Sequence, residues 1–167
     1  DTNVDNTSEA QNLGTEKYSE LSTTDEKMIN SYQERILSLR SDKAKIEREG
    51  SHCTIVTFSR MVGESLISAE KLAAEGYDVE VVNLRSIRPL DTETIIKSVQ
   101  KTSRLVTVEE GWIQSGVGAE IVSIVNELAF DYLDAPPERL SVADVPMPYA
   151  PNLEADAMVD AGNISNA

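Results

Sequence analysis

Cysteine is almost absent. Cys53 stands alone among 167 residues, so no disulfide can close within the chain, which fits a reducing compartment. Histidine is as scarce. His52 is the single copy, beside a predicted turn, and it excludes a metal site or nucleophile system built from several histidines. Positive charge is in deficit: 15 Lys and Arg face 29 Asp and Glu, a formal charge of −14. Such a chain is a poor partner for phosphate backbones or anionic lipid, so neither nucleic acid nor membrane is expected as a partner. No run of about 18 apolar residues exists to span a bilayer. The opening residues, Asp1-Thr2-Asn3-Val4-Asp5, show neither a basic-then-apolar signal nor an Arg-rich transit pattern.

What is present falls into four parts. Residues 1–22 are rich in Asn, Thr, Ser, Glu and Asp and too poor in apolar groups to offset ordering entropy, so a disordered segment is expected. Residues 23–42 start with a capping-box pair, Thr23 and Glu26. Met28, Ile29, Tyr32, Ile36 and Leu39 then recur at helical spacing, which predicts an amphipathic helix. Residues 43–154 form the globular part. Alternation over Ala44–Arg48, a turn at Gly50-Ser51 and the β-branched run Cys53–Phe58 predict two strands in a hairpin. A helix follows from about Val62 to Glu75, with Leu66, Ala69, Leu72 and Ala73 on its buried face and Gly76 closing it. Further elements are a strand at Val79–Leu84, a helix capped by Asp91, a strand at Arg104–Glu109, a helix from about Gly118 to Leu133, and a short strand at Leu140–Val142. Strand and helix alternate at lengths suited to right-handed crossovers, so a mostly parallel sheet covered on both faces is expected. Residues 155–167 drift into Ala, Asp and Asn and are expected to trail as a flexible tail with no packed element.

Catalytic patterns are weak throughout. Cys53 opens an apolar strand, the setting of a buried structural thiol rather than a reactive one. Gly116-Val117-Gly118 follows a strand and opens a helix, but it lacks the full dinucleotide spacing and no phosphate-binding Lys follows. Close packing of the loop against the sheet is the better account of these glycines. Glu109 and Glu110 lie past a strand end, where open α/β sheets bind ligands. Neighbours on a strand point to opposite faces, so they do not form one acid/base pair. Trp112 has the character of an interface anchor.

Six stretches, in order and at consistent spacing, resemble the C-terminal, transketolase-like domain of the pyruvate dehydrogenase beta subunit. They are Ala44–Gly50, Asn83–Asp91, Lys101–Gly111, Gly116–Ile121, Phe130–Pro136 and Ala143–Ala150. The resemblance implies an α/β fold: a three-layer α/β/α sandwich on a five-stranded, mostly parallel sheet, with one antiparallel strand near Lys45–Arg48. In that family the thiamine-dependent component oxidatively decarboxylates pyruvate and acetylates lipoyl groups on the way to acetyl-CoA. Its thiamine diphosphate and magnesium sit between an alpha domain and the beta N-terminal domain. Residues 1–42 do not resemble that N-terminal domain, so no catalytic, cofactor-binding or metal residue carries over, and this chain alone is expected to bind no cofactor and to be inactive. The implied partners are the alpha subunit, a second beta subunit and dihydrolipoyl acetyltransferase; the implied compartment is the mitochondrial matrix. Asp134 matches the family position that contributes to acetyltransferase docking through a basic partner group. Beyond Glu154 the family continues with a Leu-Pro segment and a final basic helix, whereas Ala155–Ala167 is acidic and holds no Lys or Arg. A non-catalytic interaction module or a truncated, inactive variant is the alternative.

Overall fold

The computed structural model describes residues 27–32 and 43–167, which fall in two compact units, residues 1–40 and 41–167. In the first unit, residues 27–32 are helical. The expected disordered segment at 1–22 and the rest of the helix expected over 23–42 lie outside the described residues.

The second unit is built on five strands: β1 (Lys45–Arg48), β2 (Cys53–Thr57), β3 (Val79–Asn83), β4 (Leu105–Trp112) and β5 (Glu138–Val142). Their spatial order is β1-β3-β2-β4-β5, with β1 antiparallel to β3 and all other pairs parallel. Helices α1 (Met61–Ala74), α2 (Thr92–Thr102) and α3 (Val117–Leu128) make the crossovers. Alternate residues along the central strands feed opposite faces. Val56 and Val82 pack with Ile95 and Val99 of α2 and Ile121 and Val125 of α3. Their neighbours Ile55 and Val81 pack with Met61 and Ala69 of α1. The result is the expected three-layer α/β/α sandwich.

The expected hairpin does not form. β2 is fully buried from Thr54 to Thr57 and takes the centre of the sheet between β3 and β4. β1, with its charged alternation, can then pair only at the edge, where Ile46 faces Val82 of β3. Gly50 is not a hairpin turn but a crossing point. A Cβ there would sit 2.2 Å from the Glu80 amide nitrogen and 2.3 Å from the Val79 carbonyl carbon. Ser51 and His52 then donate their amides to the Asp78 carbonyl, at 3.0 and 2.8 Å.

The tail is also corrected. Two short helices, α4 (Pro151–Ala157) and α5 (Ala161–Ser165), follow the last strand. Ala157, Val159, Ala161 and Ile164 are buried, Val159 and Ile164 against the α1 side of the sheet. Asp160 and Asn163 form a reciprocal capping box, Glu64 of α1 accepts the Ala161 amide at 3.1 Å, and the Ser68 and Ser165 hydroxyls meet at 2.9 Å. The sparse apolar residues of this segment reach the core because α1 presents small residues to it. That packing also alters the buried face of α1: Met61, Ser65, Ser68 and Ala69 are buried, Leu66 and Leu72 half-buried, and Ala73 exposed. The close of α1 is as expected. Gly76 has φ +94°, and the amides of Gly76 and Tyr77 return to the carbonyls of Ala73 and Leu72, the reciprocal pair of a Schellman motif.

Asp91 ties the start of the domain to α2. Its buried carboxylate accepts from the Thr94 hydroxyl at 2.6 Å, the Ala44 amide at 2.9 Å and Lys43 Nζ at 3.2 Å. Burial alone would raise this carboxyl, but the hydrogen bonds from Thr94, Ala44 and Lys43 outweigh it and hold it below the usual aspartate range. A lowered folded-state value contributes stability that is fully present above the unfolded value, about 3.9, and is lost as pH falls through the folded one. Urea unfolding between pH 7 and pH 3 should therefore show Asp91→Asn less steeply destabilised by acid than the parent, and about 1 kcal/mol less stable at pH 7. Parallel pH profiles for the two proteins would refute the assignment.

Candidate functional site

The sheet reverses its winding between β2 and β4, whose following helices lie on opposite faces. The crevice at their carboxyl ends is where an open α/β sheet places a ligand. Here the chain fills it with its own groups. Glu109, near the end of β4, is 3% exposed and accepts the amides of Val117 and Gly118 at the start of α3, at 2.9 and 3.0 Å. The helix N-terminus thus receives an internal carboxylate instead of an external anion. Gly116 and Gly118 are required by this closeness. A Cβ at Gly116 would lie 2.3 Å from Glu109 Oε1, and one at Gly118 would lie 2.6 Å from Thr107 Oγ1. Close packing is therefore the role of the glycine motif. Arg139 of β5 lies 4.0 Å from Glu109 Oε1 and donates to the Ile113 carbonyl. Glu110 turns the other way, half-buried, and reaches Arg60 at 3.8 Å. The two glutamates are separated by the strand, as their adjacency predicts.

A diphosphate does not fit this crevice, because Glu109 holds the amide pair and would repel it. Among the described residues, no cluster of three or more His, Cys, Asp and Glu could hold a metal ion. The two other residues singled out by rarity also have structural roles. His52 is exposed, and its Nδ1 accepts the Asp78 amide at 2.8 Å. Burial pushes the Cys53 thiol up to about 11, a value opposed only in part by Arg104. At neutral pH such a thiol stays protonated and unreactive.

The surface carries more information than the crevice. Trp112, the last residue of β4, is exposed, and its indole N–H donates to the Val145 carbonyl at 3.3 Å. Asp134 is exposed at the opposite, amino end of the strands. Its backbone is fixed: the amide donates at 2.9 Å to the carbonyl of Ser103, the left-handed cap of α2. Ala135 and Pro136 next line an open groove of about 590 Å³, shared with His52, Arg104, Leu105 and Ile164. The helix expected to run to Leu133 stops at Leu128, and a 3₁₀ turn, Phe130–Tyr132, follows. Sequence spacing placed Asp134 at a helix end but gave no sign that Leu128, Phe130 and Tyr132 would face solvent. The role of Glu109 was missed as well. The signal available for it was a strand-end carboxylate followed by two glycines at a helix start.

The family model for the transketolase C-terminal domain matches residues 42–164, which takes in the packed segment beyond Glu154. Over 125 residues the chain is 63% identical to the mitochondrial pyruvate dehydrogenase E1 component subunit beta of Dictyostelium discoideum, a match covering 75% of this chain and 35% of the relative. Against subunit beta-1 of the same component from Arabidopsis thaliana the identity is 65%, with 75% and 34% covered. The Rickettsia conorii beta subunit is 56% identical over 125 residues, with 75% and 38% covered. The chain thus spans about a third of the length of these relatives. Among solved structures, a split gene transketolase, an inactive beta4 tetramer, superposes with a TM-score of 0.68 at 26% identity, covering 77% of this chain and 41% of that one.

Proposed function

Because this chain belongs to the transketolase C-terminal domain family, we propose that it is the carboxy-terminal domain of a pyruvate dehydrogenase beta subunit, serving assembly and docking rather than the chemistry. The observation that carries this reading is the 63% identity with the Dictyostelium discoideum beta subunit over 125 residues. In this reading the alpha subunit and the beta N-terminal domain hold thiamine diphosphate and magnesium between them, with which the assembled enzyme decarboxylates pyruvate and acetylates lipoyl groups. The filled crevice at Glu109 accords with a domain that leaves the cofactor to others, and this chain alone is inactive. Its partners are the alpha subunit, a second beta subunit and dihydrolipoyl acetyltransferase, in the mitochondrial matrix.

Asp134 is the docking carboxylate. Its backbone is held by Ser103 while its side chain stands in solvent, the disposition of a rim charge that steers a basic partner and sets salt dependence. Calorimetry of the chain with the subunit-binding domain of the acetyltransferase, at two salt concentrations, tests this. Binding should weaken as salt rises, and Asp134→Ala should weaken it about tenfold and flatten the salt dependence. A folded chain that does not bind would put a non-catalytic interaction module in place of the docking subunit.

A further inference from the structure

Lys43 to Gly50, the stretch that carries β1, is joined to the sheet mainly by charge. Five of its eight residues are charged, and each of the five has an ionic partner. Its apolar contribution is small: Ala44 is half-buried against the α2 side of the core, and Ile46 is 36% exposed. β1 is an edge strand of four residues with one neighbour, and its register slips between Ile46 and Arg48. β2 differs on each count, being buried from Thr54 to Thr57 and paired on both sides.

The charges gather into two clasps. At the first, Asp91 accepts the Ala44 amide at 2.9 Å and Lys43 Nζ at 3.2 Å, and Lys43 also reaches Glu93 at 3.4 Å. At the second, Lys101 of α2 donates to Glu49 at 2.7 Å, and Arg48 meets Asp78 at 3.2 Å. Between them the Asn83 side-chain amide donates to Glu47 at 3.0 Å. The buried carboxylate at each clasp keeps a partner when the strand leaves. Asp91 retains the hydroxyl and amide of Thr94, and Lys101 retains the fully buried Glu80. Lifting β1 thus leaves no buried charge unpaired, the penalty that otherwise holds an ionic contact closed. Beyond the second clasp, the Ser51 and His52 amides on the Asp78 carbonyl fix a pivot.

We infer that Lys43–Gly50 is a releasable strap: clasped by charge at both ends, it detaches from the β3 edge as a unit while the four parallel strands stay folded. Segments whose contacts are few and polar open at free energies well below that of global unfolding. Opening bares the backbone of Val81, Val82 and Asn83, which β1 otherwise pairs. It also turns the stretch into a free tether for the chain that precedes Lys43. The strap therefore controls two things at once: how firmly that preceding chain is joined to the sheet, and whether β3 is an interior strand or an edge.

Amide hydrogen exchange of the full chain at pH 7, read by mass spectrometry over a series of low urea concentrations, tests this. In the parent, β1 amides should exchange at least about a hundredfold faster than those of β2, relative to their intrinsic rates. Their exchange should also depend little on urea, because the opening exposes little surface. The double variant Lys43→Met, Glu49→Ala removes the strap's half of each clasp and should speed β1 exchange about tenfold. Both side chains are half-exposed or more, so the fold should survive, and the melting temperature checks that it does. Glu109→Ala weakens the cap on α3 without touching the strap. It should speed β2 exchange about a hundredfold and leave β1 unchanged. If β1 and β2 shared one protection and one urea slope in the parent, or if Glu109→Ala sped both alike, the strap would open only with the whole domain and the inference would fall. Parent-like β1 exchange in the double variant would equally overturn it, since the clasps would then not be what holds the strand.

Discussion

Gly50→Ala should cost about 4 kcal/mol, a large part of the stability of a domain this size. The added Cβ would meet backbone, not a side chain that could swing away: the Glu80 amide nitrogen at 2.2 Å and the Val79 carbonyl carbon at 2.3 Å. Relief would require the 49–52 segment to lift from the end of β3. That movement would strain the Ser51 and His52 amides bonded to Asp78 and disturb Lys101, which pairs Glu49 with the fully buried Glu80. Gly63→Ala is the matched control. Nothing lies within 4 Å of its Cβ, and it occupies a helix, so alanine should be neutral or stabilise by about 0.5–1 kcal/mol. Urea unfolding of the two variants beside the parent checks this. Equal midpoints for Gly50→Ala and the parent would mean that the chain does not cross β3 there, and a local hairpin would again be a candidate for this segment.

Glu109→Ala should be the second large loss, about 3 kcal/mol, or a drop in melting temperature of roughly 10 °C. It removes two charge-assisted hydrogen bonds from the start of α3, one of them to the buried Gly118 amide, and takes away the carboxylate beside Arg139. Glu109→Gln keeps an acceptor and should lose about half as much. Glu110→Ala breaks only a partly exposed pair with Arg60 at 3.8 Å and should cost less than about 1 kcal/mol. Thermal melts of the three variants separate the roles of these adjacent carboxylates. If Glu110→Ala proved the more damaging, the internal cap on α3 would not be the support described.

Much of this architecture is legible in the sequence because it is locally encoded. β-Branched runs at Cys53–Thr57 and Val79–Asn83 mark strands, Gly76 ends α1, and Asp91 begins α2, each within a few residues of its effect. The misreadings concern choices made at a distance. A glycine after an alternating strand fits a hairpin turn and a backbone crossing equally well, and only the central position of β2 decides between them. The 155–167 segment looked too polar to pack because its apolar residues are few. The serines of α1 that make room for it carry no apolar signal in their own helix. Glu109 finds its partners eight and nine residues further on, past a loop whose path is not written in any periodicity. The surface role of Asp134 comes from family resemblance alone, since an aspartate before Ala-Pro is as ordinary a turn residue as any.

The placement of β1 at the margin of the sheet governs how molecules of this protein can meet. A bare edge strand offers its unpaired amides and carbonyls to any extended chain, the usual seed of runaway polymerisation. β1 is a poor seed. It is only four residues long, reads Lys-Ile-Glu-Arg, has its Lys45 and Glu47 paired at 2.5 Å, and its register slips between Ile46 and Arg48. A short, charged, irregular margin gives an incoming strand no straight template. At this margin, encounters between copies are thereby diverted from backbone zippering to side-chain recognition, where shape and charge can discriminate one neighbour from another.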